Sequence, residues 1–352
     1  MPTNKRNFLF RLDAGNIFGM GHLSRCITLA NTFGQDDHIA FWIKTDAPQK
    51  VEFFLKGRLL TKNMNIEFLN PEISKENDLE VLIKYCTANK AFLILDHYSF
   101  DDIYQKGIVN AKIKFLLFDS HGKSNFYSDA IIHASPSATN EVYIPLQKNP
   151  NALLLLGTSY AIMDPGFSEV RKGLQIRKSL NNMMLCMGGG GDKGASLKIL
   201  QFLETSPLNN LNIEVIAGIN HPDFKAIQAL CAKVTQFIHI PGTQEMPKHM
   251  VRADLGIIAP GTLSYEAACM GMPMLFTVIA DNQNMNAHGW EKLGCAINMG
   301  TIEELKKEKL ISYLKILIDN PNKIQKMSEL GMKAVDGKGV IRVKEKIDQL
   351  TK

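Results

Sequence analysis

A chain of 352 residues that is 45% apolar and 21% charged has the length of two domains and the composition of an ordinary globular protein, which excludes disordered, collagen-like and coiled-coil classes. Forty Lys and Arg against 35 Asp and Glu leave a formal charge of +5, and no dense basic run gathers it into a nucleic-acid footprint. No uncharged apolar stretch approaches the ~20 residues of a membrane span, and the polar start Met1–Asn7 is unlike a secretory signal, so a soluble cytoplasmic chain is expected. The six cysteines, at 26, 86, 186, 231, 269 and 295, form no CxxC pair and no cluster with His at metal-ligand spacing. They read as small core residues, and neither a metal nor a cofactor is expected.

In chain order, short apolar runs alternate with longer mixed segments. Phe8–Phe10, Ile39–Ile43, Ala91–Leu95, Ile113–Phe118 and Ala130–Ile132 come first. The rhythm restarts at Asn182–Met187 and continues through Ile213–Ala217, Gln236–Ile240, Leu255–Ile258 and Pro273–Val278. Such runs, bounded by Asp, Gly or Ser, predict buried parallel strands with helical crossovers. The expected class is therefore α/β with two Rossmann-like, doubly wound lobes and a ligand in the cleft between them. The expected divisions are an N-terminal lobe over 1–165, a linker over 166–181 that opens with the turn signal Asp164-Pro165-Gly166, a second lobe over 182–330 and a C-terminal helix over 331–352.

Chemistry-bearing residues cluster where strands end. After the first strand comes Arg11-Leu12-Asp13-Ala14-Gly15-Asn16-Ile17-Phe18-Gly19-Met20-Gly21-His22-Leu23-Ser24-Arg25, whose glycines permit tight backbone and whose His22 opens a helix. The spacing G-x-x-x-G-x-G is not the dinucleotide fingerprint, which argues against a nicotinamide cofactor. On the glycines alone, a structural loop with a satisfied histidine accounts for the segment equally well. A second group, Asp96-His97-Tyr98, offers a proton-transfer group, an orienting acceptor and a phenol at one strand tip, and Asp119-Ser120-His121 ends the next strand in a similar way. Ordinary capping of the following helix explains either group taken singly.

The second lobe opens with Met187-Gly188-Gly189-Gly190-Gly191-Asp192 before a helix, a backbone suited to a diphosphate but lacking the Walker ending. Further on, Gly261-Thr262-Leu263 starts a helix in which Glu266 lies one turn along, where a carboxylate can accept two ribose hydroxyls, and Gly271 with Pro273 stops it. The carboxamide-rich Ala280-Asp281-Asn282-Gln283-Asn284-Met285-Asn286-Ala287-His288 follows the next strand, suited either to sugar substituents or to a capping turn.

Taken together, these motifs resemble a known family. The segments Arg11-x-Asp13-x-Gly15, Gly19-Met20-Gly21-His22-x-x-Arg25-Cys26, Asp96-His97-Tyr98, Leu156-Gly157-x-x-Tyr160-Ala161, Cys186-Met187-Gly188-Gly189, Glu266-Ala267 and Asp281-Asn282-Gln283 are similar to those of GT-B fold enzymes that hydrolyse UDP-2,4-diacetamido-2,4,6-trideoxy-β-L-altropyranose in pseudaminic acid biosynthesis, and of SpsG-type proteins. The resemblance runs from residue 11 to about residue 300, with one more glycine before Asp192 than is usual. It implies release of UDP and free sugar by water attack at the anomeric carbon with inversion. It also implies His22 as general base with Tyr98 and Asn282 beside the reacting sugar. Asp13, Gly19, Gly21, Arg25, Gly188, Gly189, Gly261, Thr262, Leu263 and Glu266 would contact the substrate or hold UDP. A glycosyltransferase of the same fold would share Glu266 and the glycine loops but pass the sugar to an acceptor. A non-catalytic sugar-nucleotide binding protein would leave His22 and Tyr98 without a chemical task.

Overall fold

The computed structural model describes residues 5–56, 58–59, 63–97, 100–188, 191–208 and 210–352. The chain divides into two units, one formed by Met1–Met163 with Lys338–Lys352 and the other by Asp164–Gly337.

The first unit is built on seven parallel strands: β1 (Asn7–Asp13), β2 (His38–Lys44), β3 (Met64–Leu69), β4 (Phe92–Asp96), β5 (Phe115–Phe118), β6 (Ala130–His133) and β7 (Leu153–Leu156). Their order is β3-β2-β1-β4-β5-β6-β7, so the winding reverses between β1 and β4. Successive side chains of β1 enter opposite layers: Phe8, Phe10 and Leu12 join one buried cluster and Leu9 the other. Burial on both faces is why this strand reads as a continuous apolar run rather than an alternation. Reversal points of this kind leave a crevice at the carboxyl ends of the two diverging strands.

The second unit repeats the plan with β8 (Asn182–Cys186), β9 (Asn212–Ile216), β10 (Phe237–Ile240), β11 (Leu255–Ile258), β12 (Met274–Val278) and β13 (Ala296–Thr301) in the order β10-β9-β8-β11-β12-β13. Its reversal lies between β8 and β11. All pairings in both sheets are parallel.

Two segments differ from the expected divisions. The stretch expected as a linker begins with a helix, Pro165–Arg171, and is pinned within the second unit by two guanidinium groups. Arg171 donates to the carbonyls of Cys269 and Val335 at 2.8 and 2.6 Å and to that of Met332 at 2.6 Å. The buried Arg177 donates to the carbonyls of Met250, at 2.9 Å, and Met270. An Arg fork carries enough donors to satisfy several carbonyls that helix ends leave open.

The C-terminal segment is likewise not one helix. A helix at Pro321–Ala334 belongs to the second unit, the chain turns through Gly337 at φ +78°, and a final helix at Gly339–Leu350 belongs to the first. Val340, Val343 and Ile347 of that helix share a buried cluster with Phe8, Phe10 and Leu12. Arg6 ties it down through Asp348 at 2.6 Å, and Lys114 donates to the Leu350 carbonyl at 2.9 Å.

Candidate active site

At the reversal point of the first sheet, β1 runs into the loop 14–20 and then the helix Gly21–Ala30, which carries His22 and Arg25, while β4 ends on Asp96. The loop closes on itself through Gly15 N–H to the Gly19 carbonyl at 3.1 Å. Gly15 has φ +152°, and a Cβ there would stand 1.9 Å from Asp46 Oδ1, so a side chain at that position would be strained and would displace Asp46.

Asp96, fully buried, draws the adjacent groups together. His22 Nδ1 lies 2.5 Å from Asp96 Oδ1, Arg25 Nε donates to Oδ2 at 2.6 Å, and Arg25 Nη2 also donates to Oδ1. Burial by itself pushes the Asp96 carboxyl up, but the charges and hydrogen bonds of Arg25 and His22 outweigh it and hold the group well below the usual carboxylate range. Asp96 is therefore an acceptor only, and His22 Nδ1 must be the donor. That tautomer makes Nε2 the basic nitrogen of the ring. Arg25 Nη2 also approaches His22 Nδ1 to 3.2 Å, and since both are donors this is convergence on one carboxylate rather than a bond between them.

Asp13, expected to meet substrate, belongs to a buried ion network. Arg11 Nη1 donates to Asp13 Oδ1 at 2.7 Å, and Arg11 Nε reaches both oxygens of Asp78 at 3.0 and 3.1 Å. Tyr104 donates to Asp78 at 3.2 Å, and His97 Nδ1 lies 3.9 Å from Asp13 Oδ2. Burial raises the Asp13 carboxyl even against Arg11, and burial holds His97 well below its ordinary value. Arg25, also expected at the ligand, has its guanidinium committed to Asp96 and packed 4.6 Å from the centre of the Phe118 ring. Gly19 at φ +74° and Gly21, the first residue of the helix, both precede His22 as expected. Tyr98 and Gly189 lie outside the described residues.

In the second unit, Gly188 follows β8 with φ +103° and Asp192 caps the helix Ala195–Glu204, accepting the Gly194 and Ser196 N–H groups at 3.0 and 2.8 Å. Gly261 and Thr262 form the turn between β11 and the helix Leu263–Cys269, which Leu263 begins and on which Glu266 sits half-buried. Four side chains, to none of which the sequence pattern assigned this role, set this turn. Ser264 Oγ donates to the Gly261 carbonyl at 2.6 Å and accepts Trp290 Nε1–H at 2.9 Å, while Asn286 Nδ2 donates to the Pro260 carbonyl at 2.8 Å and its oxygen accepts the Tyr265 hydroxyl at 2.9 Å. Asn282 is exposed in the 3-10 turn Asp281–Gln283 beyond β12.

Among the described residues, one group has the reach to hold a metal ion: Asp192, His221 and Asp223. His221 Nδ1 accepts the Asp223 N–H at 3.1 Å, which leaves the ring proton on Nε2, 3.1 Å from Asp192 Oδ2. With Asp192 already capping a helix and the His221 Nδ1 lone pair taken by the Asp223 N–H, two of the three groups are already engaged within the protein.

Two parallel α/β lobes with glycine-bearing loops at both reversal points define a GT-B protein. MurG of Acinetobacter baumannii superposes with a TM-score of 0.72 over 98% of this chain and 99% of its own, at 17% identity. No family model matches the sequence. The chain is 28% identical to the spore coat polysaccharide biosynthesis protein SpsG of Bacillus subtilis (strain 168), covering 94% of each. It is 23% identical to the UDP-2,4-diacetamido-2,4,6-trideoxy-β-L-altropyranose hydrolase of Campylobacter jejuni, covering 81% of this chain and 96% of that one. Along most of its length the chain is thus similar to SpsG and to such a hydrolase.

Proposed function

We propose that this protein is a UDP-sugar hydrolase of surface-polysaccharide or nonulosonic acid biosynthesis, acting on a deoxy-acetamido sugar of the kind named for its Campylobacter relative. The observation that carries this reading is the His22–Asp96 pair at the reversal point of the first sheet, an imidazole whose tautomer is set by a buried carboxylate. In the reaction, His22 Nε2 takes a proton from water as the water oxygen bonds to the anomeric carbon. The bond from that carbon to the β-phosphate oxygen breaks, UDP leaves with the electron pair, and the configuration inverts. Asp96 stabilises the imidazolium that forms. On this reading Glu266 with Gly188, Gly189, Gly261, Thr262 and Leu263 holds UDP, and Tyr98 and Asn282 are neighbours of the reacting sugar. Backbone amides at the loop ends suit a diphosphate without requiring a basic surface.

The test is to incubate the protein with a panel of UDP-sugars without acceptor and quantify UDP and free sugar. Equal release of both, with inversion followed by NMR and a loss of about 10²–10⁴-fold in His22→Ala, is the expected outcome. UDP release that depends on an added acceptor would make the protein a glycosyltransferase, and tight UDP binding without turnover would make it a binding protein.

A further inference from the structure

A second histidine stands on the same sheet edge and is outside the mechanism above. His133 ends β6, and its Nδ1 meets the hydroxyl of Tyr143, which in turn donates to Asp119 Oδ2 at 2.5 Å. Asp119 follows β5, its N–H bonded to the Ile132 carbonyl at 2.9 Å, and it also accepts the N–H groups of His121 and Gly122 at 3.2 and 2.8 Å. Tyr143 is fully buried and His133 is 7% exposed.

The proton count along this chain has one solution. Burial pushes the Asp119 carboxyl up, but the Tyr143 hydrogen bond, His133 and the backbone amides outweigh it, so Asp119 is an anion that only accepts. The single phenolic proton of Tyr143 goes to Asp119, and His133 must then donate Nδ1–H to the phenol oxygen. Burial brings His133 down to about 4, with Asp119 opposing and Arg25 and His121 assisting, so the ring is neutral near pH 7. Its Nε2 is left as a lone-pair acceptor. Among the described residues no hydrogen bond reaches that nitrogen, and it is not sealed from solvent.

Position gives this acceptor a use. The register sets Leu95 opposite Leu117 and Phe118 opposite Ile132, so His133 lies two strands from Asp96 on the carboxyl edge of one sheet, about 10 Å away at ~4.8 Å per strand. Arg25 spans part of that interval, holding Asp96 and lying over Phe118. A neutral acceptor offers nothing to a diphosphate. It suits a donor on a pyranose ring.

We propose that His133 is a sugar-recognition residue whose Nε2 accepts a hydrogen bond from a ring substituent of the substrate, a hydroxyl or an acetamido N–H, with Tyr143 and Asp119 fixing its tautomer. This rests on the UDP-sugar reading above. The experiment compares wild type, His133→Phe and His133→Gln, the glutamine carrying an acceptor oxygen near the place of Nε2. The substrate is UDP-2,4-diacetamido-2,4,6-trideoxy-β-L-altropyranose, and the affinity for UDP alone is measured in parallel.

His133→Phe should raise KM about 10-fold, the size of one lost hydrogen bond, with kcat within about 3-fold and UDP affinity unchanged. His133→Gln should recover most of that loss. Calorimetry with UDP-N-acetylglucosamine and UDP-glucose separates the donors: a loss confined to the former assigns the N–H, and a loss on both assigns a hydroxyl. Nitrogen-15 NMR of the unliganded protein should show His133 protonated at Nδ1 in wild type, with that preference lost in Tyr143→Phe. An unchanged KM in His133→Phe, a parallel fall in UDP affinity, or an Nε2–H tautomer in wild type each overturns the proposal. A wild-type chain that binds no UDP overturns instead the function on which it rests.

Discussion

Asp96 is buried with three proton-bearing side chains on its two oxygens, those of His22, Arg25 and Cys26, and replacing it separates its electrostatic role from its shape. In Asp96→Asn the carboxamide keeps the volume but can donate as well as accept, so the His22 tautomer is no longer dictated and the imidazolium loses its counter-charge. A fall in kcat of about 10²–10⁴-fold with a much smaller change in KM is expected in steady-state assays. The variant also leaves the Arg25 guanidinium facing a neutral group, at a cost of up to about 3 kcal/mol read from urea unfolding near pH 7. Since the folded-state carboxyl is held below its unfolded value, its contribution is complete above about pH 4 and is lost as pH falls through the folded value. The gap in stability between wild type and Asp96→Asn should therefore narrow in acid. A gap that stays constant down to pH 2 would show that the charge of Asp96 does not stabilise the fold. The sequence placed Asp96 beside a proton-transfer group, but not its pairing with a histidine 74 residues away. Spatial pairs of this kind depend on the order of strands in the sheet, which local pattern does not encode.

The same distinction holds for whole elements. Central strands such as β1, β4, β8 and β11 are buried on both faces and read plainly as apolar runs. The strands that escaped the sequence reading, β3, β7 and β13, are all sheet edges. β3 exposes four consecutive residues, Asn65–Phe68, and so carries neither a continuous apolar run nor a clean alternation. The final helix falls within the helix expected over 331–352, but its return to the first lobe was not legible, because Val340, Val343 and Ile347 would suit any apolar layer. Gly339 marks that return. A Cβ there would lie 2.1 Å from the Ala161 carbonyl oxygen and 2.7 Å from its nitrogen, and backbone atoms cannot step aside as a flexible side chain does. Gly339→Ala should therefore destabilise the first unit by about 1–3 kcal/mol despite the higher helix propensity of alanine, measured by denaturant unfolding. A neutral or stabilising result would mean that the helix can shift on its seat without loss.

At the scale of the molecule the chain passes between units twice, after Met163 and after Gly337. The second unit is a single uninterrupted segment with its own apolar cluster around Leu185, Ile199, Val215, Ile257 and Leu275, and its internal braces, Arg171 and Arg177, take their hydrogen-bond partners among the described residues from within it. The first unit is discontinuous. Without 338–352 it loses the burial of Val340, Val343 and Ile347, each worth roughly 1.5–3 kcal/mol, a sum comparable with the whole stability of a typical domain. The two halves should thus behave differently when separated. Residues 164–337 expressed alone should unfold in one cooperative urea transition and, on the proposed reading, retain UDP binding without any turnover, since His22 is absent. Residues 1–163 alone should lack a cooperative transition and regain one when joined to 338–352 through a short flexible linker. Cooperative folding of 1–163 without that helix would show that the C-terminal return serves something other than the stability of the first lobe.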